Sequence, residues 1–186
     1  PRSTTLKDEG FVVRHIPLLA GGCLSDGLDF VQQSRQPGTV LADLEAQIAA
    51  NQYAARALQA MGDPSLILTW MKHLHDVARE SVAQVIESLP TGNATDRIGG
   101  VDIKLSLEKK AGRLLVDFSG TGGPHEGNLN TPPSVVRAAV LYALRVLVNR
   151  HIPLNEGALA DIDLEIPEKS LLKPPAGVAT PSSSER

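Results

Sequence analysis

Val101–Ser119 reads VDIKLSLEKKAGRLLVDFS, and its alternation decides the fold. Val101, Ile103, Leu105 and Leu107 point one way, while Asp102, Lys104, Ser106 and Glu108 point the other, the period-two pattern of a half-buried strand. Lys109–Gly112 turns the chain into a second apolar run, Arg113–Ser119, so the stretch predicts a β-hairpin. Alternation returns at Ala160, Ile162, Leu164 and Ile166, with Asp161, Asp163 and Glu165 facing outward, which predicts another strand.

Between these strands lies Ser134–Asn149, opened by Thr131-Pro132 and apolar almost all round, the pattern of a deeply buried helix. On the N-terminal side two longer helices are expected. Leu41, Leu44, Ile48, Asn51, Ala55 and Leu58 recur at spacings of three and four, up to Gly62. Asp63-Pro64 then supplies a cap and a first-turn proline. Ile67, Trp70, Leu74, Val77, Ser81 and Val85 form the next stripe, ending near Leu89. So short a turn predicts an antiparallel helix pair. Phe11–Leu18 reads as a strand closed by Gly21-Gly22, Leu24–Ser34 as a short helix, and Pro90–Asp96 as a loop. The fold class is α+β: a long antiparallel helix pair and a buried third helix packed on a mainly antiparallel sheet.

Composition narrows the function classes. The 186 residues suffice for one compact domain burying roughly 70% of its unfolded surface. A formal charge of −3 and 3% aromatic residues give no nucleic-acid footprint, neither a basic face nor stacking platforms for bases. No apolar run has the length of a membrane span, and no signal sequence opens the chain. Cys23 is the single cysteine, so no intrachain disulfide framework exists, and a reducing cytoplasm is the expected setting. Pro1 without an initiator Met, and the polar Thr180–Arg186, read as cuts in a longer polypeptide. The expected division is a domain over 1–175 and a flexible polar tail over 176–186.

The densest chemistry is Asp117–Asn130, DFSGTGGPHEGNLN. It leaves a strand end, carries glycines that let backbone amides approach a ligand, and runs into a helix N-terminus. No Gly-Lys-Ser/Thr follows, so it is not a phosphate-binding P-loop. Asp117, Ser119, Gly120, Thr121, Asn128 and Asn130 are the cavity candidates. The competing reading is a tight crossover whose polar side chains satisfy loop backbone. His73 and His75 point in nearly opposite directions on a helix, so His73–Asp76 predicts a salt-bridged surface rather than a metal site. Cys23 has no base in reach and reads as an inert thiol. His151–Gly157 reads as a capping turn whose Asn and Glu bond nearby backbone.

Asp117–Thr121 (DFSGT), Gly127–Asn130 (GNLN) and Ile152–Gly157 (IPLNEG) closely resemble the catalytic-subunit region of 5-oxoprolinases and hydantoinase B proteins. Pro1–Gly10, with Ser3-Thr4-Thr5 and Glu9-Gly10, and Leu41–Asn51 (LADLEAQIAAN) agree with blocks of the same family, so the resemblance runs to about Pro175. It implies part of an ATP-dependent hydrolase that opens a cyclic amide such as 5-oxoproline or a hydantoin, inactive as an isolated piece. ATP and Mg would be held by a hydantoinase A-type ATPase domain or subunit, the implied partner in an oligomer. Any further metal would sit in an N-terminal B-type segment that this sequence does not contain, so no metal ligand is carried over. Asp117 would orient loop amides or Asn130 rather than act as nucleophile. Two other readings stand beside this one: a non-catalytic scaffold docking the ATPase half, and a relative of acetone carboxylase sharing the B architecture.

Overall fold

The computed structural model describes residues 5, 13, 15–34, 36–153 and 155–180. Two compact units emerge, Gly10–Thr69 and a larger one formed by Pro1–Glu9 with Trp70–Arg186. The blocks expected over Pro1–Gly10 lie outside the described residues except for Thr5.

In the smaller unit a minimal hairpin pairs β1 (Leu19–Ala20) with β2 (Cys23–Leu24) around Gly21 and Gly22, both at positive φ. The strand expected over Phe11–Leu18 is absent from Val13 and from His15–Leu18; residues 11, 12 and 14 are outside the described set. Among the described residues, Val13 and Ile16 pair with no strand. A 3-10 helix, Asp26–Gln33, follows, its first turn closed by Ser25 Oγ accepting from the Gly27 amide. Helix α1 (Pro37–Ala60) starts on proline, whose missing N–H costs nothing in a first turn.

Helix α2 (Pro64–Ser88) starts where Asp63 accepts hydrogen bonds from the Ser65 amide and hydroxyl, at 2.8 and 2.9 Å. The long helices form as expected, but of the stripes read from sequence only Ser81 is among the buried residues. α1 has no buried residue. α2 buries Ala78, Ser81, Val82 and Ile86, whereas Trp70 and Leu74 remain 63% and 47% exposed. The apolar stripe of α2 is broad enough to support several rotations, and packing selects a face offset from the Trp70–Leu74 side.

The larger unit holds a four-stranded sheet in the order β3 (Gly92–Ile98), β4 (Val101–Lys110), β5 (Arg113–Asp117), β6 (Ile162–Glu165). The first three strands are antiparallel neighbours and β6 runs parallel to β5, so the sheet is mainly antiparallel. The β4–β5 hairpin turns at Ala111 and Gly112, both at positive φ, the requirement of a two-residue turn matched to strand twist. Most of the stretch read as a loop over Pro90–Asp96 is instead β3. It is an exposed edge strand, and its sequence GNATDRI carries no apolar alternation to betray it.

Helix α3 (Pro133–Val148) crosses between β5 and β6. It is not deeply buried: Val136 and Leu144 are its buried residues, while Tyr142, Val146 and Leu147 stand 71%, 59% and 52% exposed. The core gathers Ala78, Val82 and Ile86 from α2, Leu114 and Val116 from β5, Leu144 from α3, and Ile152, Ala158 and Leu159 from the segment before β6. Burying each of the larger aliphatic side chains contributes on the order of 2 kcal/mol. Beyond Pro175, the assigned end of the domain, Val178 still bridges to Thr5 and Ala179 is fully buried.

Candidate functional site

β5 delivers Asp117 to the carboxyl end of the sheet, paired with Ser106 on one side and Glu165 on the other. Its Oδ1 accepts from the Ser119 amide at 2.7 Å, an Asx-type turn that ends the strand. The Phe118 amide donates to the Glu165 carbonyl and the Thr121 amide to the Phe118 carbonyl, so the exit path is fixed by backbone bonds. Gly120 takes φ +84, a left-handed conformation that favours glycine.

Thr121 and Asn130 turn inward. Thr121 Oγ1 accepts from the Lys104 amide at 3.1 Å and donates to the Lys104 carbonyl at 3.3 Å, tying the loop to β4. A β-carbon on Gly122 would lie 2.6 Å from Val101 Cγ1, so the loop lies directly on the sheet. Asn130 is fully buried. Its Oδ1 accepts from the His125 amide at 2.8 Å, and its Nδ2 donates to the carbonyls of His125, Gly127 and Ala179 at 3.0, 2.9 and 3.2 Å. One amide therefore closes the Gly123–Leu129 excursion and fastens it to the chain near its C-terminus. His125 Nδ1 accepts from the Gly127 amide at 2.8 Å, which selects the tautomer protonated on Nε2 when the ring is neutral.

Ser119 instead lines an open cleft of about 530 Å³, together with Pro133, Glu165, Ile166 and Lys173. The cleft sits at the carboxyl ends of the parallel strands β5 and β6, where open α/β sheets commonly place ligands. Lys173 is paired with Glu168 at 2.6 Å, so its ammonium reaches the cleft as half of an ion pair. The six candidates thus divide by role. Asp117 and Gly120 shape the loop exit, Thr121 and Asn130 satisfy backbone, Ser119 faces open space, and Asn128 is half-buried within the excursion. Glu165 and Lys173 were not singled out from sequence, because nothing local marks residues that fold brings beside Ser119.

The other expected clusters behave as surfaces and staples. Lys72 pairs with Asp76, and Arg79 binds Asp161 through two bonds of 2.7 and 2.9 Å, a salt-bridged helix face. The Arg79 hydrogen bond holds the Asp161 carboxyl below the usual carboxylate range, with Arg113 adding to it. Arg113 likewise lowers Asp163, to which it donates at 2.8 and 2.6 Å. Asn155 accepts from the Gly157 amide, as expected of a capping turn, and donates to the Leu74 carbonyl, whereas Glu156 pairs with the Arg137 side chain rather than with loop backbone. Among the described residues no three His, Cys, Asp or Glu converge to hold a metal ion, and no helix is long and apolar enough to cross a membrane.

Comparison with known proteins agrees with the motifs. The family profile Hydantoinase B/oxoprolinase matches residues 1–184. The chain is 32% identical to the 5-oxoprolinase PfmaA of Pestalotiopsis fici, over 96% of its own length and 16% of that protein. It is 33% identical to 5-oxoprolinase 1 of Arabidopsis thaliana, over 72% of its length and 12% of that protein. The acetophenone carboxylase delta subunit of Aromatoleum aromaticum matches at 25% identity, over 80% of this chain and 24% of that subunit. The chain therefore spans less than a quarter of the length of these relatives. In structure it superimposes on the ATP-dependent caprolactamase of Pseudomonas jessenii with a TM-score of 0.68, covering 93% of this chain and 32% of that one at 15% identity. Sequence motifs, family profile and relatives converge: the chain belongs to the hydantoinase B/oxoprolinase family.

Proposed function

We propose that this chain is the cleft-forming section of an ATP-dependent hydrolase that opens a cyclic amide, converting 5-oxoproline to glutamate or opening a hydantoin ring. The observation that carries this reading is the identity of 32% and 33% to two 5-oxoprolinases. A ring amide is a poor electrophile. Transfer of the ATP γ-phosphoryl group to its oxygen, with ADP leaving, makes the carbon attackable by water; the C–N bond then breaks to leave an acyl phosphate, which a second water hydrolyses to the carboxylate and phosphate. In this scheme ATP and Mg are bound by an A-type ATPase part outside this chain, which is its partner in an oligomeric, cytoplasmic enzyme. Among the described residues no three metal-ligating side chains converge, so no step is assigned to an ion held by this chain. What the chain supplies is the wall: Ser119 at the cleft, with Gly120 turning the chain beside it, the loop held by Asp117, Thr121 and Asn130, and Asn128 in the same excursion. In this reading the chain is a B-type piece that has no activity alone.

ATP hydrolysis coupled to 5-oxoproline opening tests it, comparing this chain, the complete enzyme, and the complete enzyme with the 117–130 loop altered. Activity confined to the intact enzyme and lost with the loop supports the reading; lactam opening by the isolated chain, or an unaffected loop variant, overturns it. The match to an acetophenone carboxylase subunit favours a second reading, a carboxylase-type B subunit. ATP turnover driven by a ketone and bicarbonate, with none driven by 5-oxoproline, would select it.

A further inference from the structure

α3 presents a second apolar face that the larger unit leaves uncovered. Val135, Ala139, Tyr142 and Val146 follow a four-three-four spacing, flanked by Ala138 and Ala143, the seam of a helix that packs on another helix. Tyr142 and Val146 are 71% and 59% exposed, and the three alanines are also exposed. Along one flank the seam borders an open groove of about 360 Å³ whose walls include Ile98, Ile103, Phe118 and Leu129. At its C-terminal end it meets a second hollow of about 520 Å³, lined by Tyr142, Arg145, Val146, Asn149, Arg150 and His151. No carboxylate lines that hollow. Arg145 Nε is buried without a hydrogen-bond partner among the described residues, a costly state for a charged group. Arg150 donates from Nη2 to the neutral Ser81 hydroxyl and Gln84 side chain, at 2.8 and 3.4 Å.

We propose that this face docks a helical segment of a partner polypeptide, with an aliphatic stripe against the seam and carboxylates over Arg145 and Arg150. Charge selects this occupant over a second copy. The exposed face of α3 carries Arg145 and no acidic residue, so pairing this face with itself would leave Arg145 uncompensated. An acidic, aliphatic helix fills the apolar groove and supplies the missing acceptor together. The inference concerns binding alone and stands apart from the reaction proposed above.

The test uses the 186-residue chain and two amphipathic helical peptides with the same leucine stripe, one flanked by glutamates and the other by lysines. Binding is followed by backbone amide NMR shifts, and self-association by light scattering. The expected result is a monomer that binds the glutamate peptide with shifts along Pro133–Arg150, weakening with salt, and at least about tenfold better than the lysine peptide. Val146→Glu and Arg145→Glu, both on the uncovered face, should each weaken binding by about tenfold or more with helical content unchanged. Equal binding of the two peptides, binding of neither, shifts elsewhere, or indifference to both substitutions overturns the proposal. A dimer dispersed by Val146→Glu overturns it too, in favour of a second copy.

Discussion

Gly157 lies so close to His75 that a β-carbon built on it would stand 2.1 Å from the His75 carbonyl oxygen. The turn before β6 is therefore pressed onto the backbone of α2, and Asn155 holds it there by donating to the neighbouring Leu74 carbonyl at 3.1 Å. No side chain fits, and the opposing atom is backbone that cannot swing aside. Gly157→Ala should cost about 3 kcal/mol or more, read as a lower denaturant midpoint with an unchanged slope.

Asn130 gathers three carbonyls and one amide with a single buried side chain. Asn130→Ala removes every one of those partners at once. A loss of about 3 kcal/mol is expected, with hydrogen exchange accelerating first at the His125 and Gly127 amides. Exchange rising uniformly over the unit, without that local onset, would count against Asn130 as the fastener of the excursion.

Asp161 and Asp163 connect β6 to α2 and β5 through Arg79 and Arg113. Both carboxyls are lowered in the folded chain, Asp161 chiefly by the Arg79 hydrogen bond and Asp163 by that of Arg113. A depressed folded value means stability that is fully present above the unfolded pKa of about 3.9 and lost as pH falls through the folded one. Thermal stability should drop on acidification below about pH 4, and Asp161→Asn should flatten that slope while lowering the plateau at neutral pH. Salt should blunt the effect, because the arginines are largely exposed.

Ala111 sits at φ 51 in the β4–β5 turn, where a side chain without a polar tip gains nothing from the left-handed region. Ala111→Asn gives the Asn-Gly pair that such turns prefer and should stabilise by about 0.5–1 kcal/mol in thermal melts.

Asp117→Asn keeps an acceptor for the Ser119 amide, so the fold should survive. In the complete enzyme we expect about a tenfold fall in kcat/KM, as the strand exit loses its charged acceptor and Ser119 drifts within the cleft. Unchanged kinetics would remove Asp117 from the site.

Some elements were legible from spacing alone. The Val101–Ser119 hairpin announced itself by alternation, and the long helices by their periods, their proline starts and the cap at Asp63. β3 was not legible, because an edge strand exposed along its whole length needs no apolar face. α3 misled for the opposite reason: an all-round apolar helix signals burial, yet Tyr142, Val146 and Leu147 stand exposed. The loop chemistry was half visible. Its residues could be picked out by composition, but not which would bind backbone and which would face a cleft.

By itself the sequence determined the family, the β4–β5 hairpin and the long helices, since these depend on residues a few positions apart. Tertiary structure alone decided that Arg79 meets Asp161, that Asn130 reaches Ala179, and that Lys173 and Glu165 stand beside Ser119. Those pairings join residues separated by tens of positions. They are set by which faces can bury together and which polar groups must then find partners, and neither is written in local spacing.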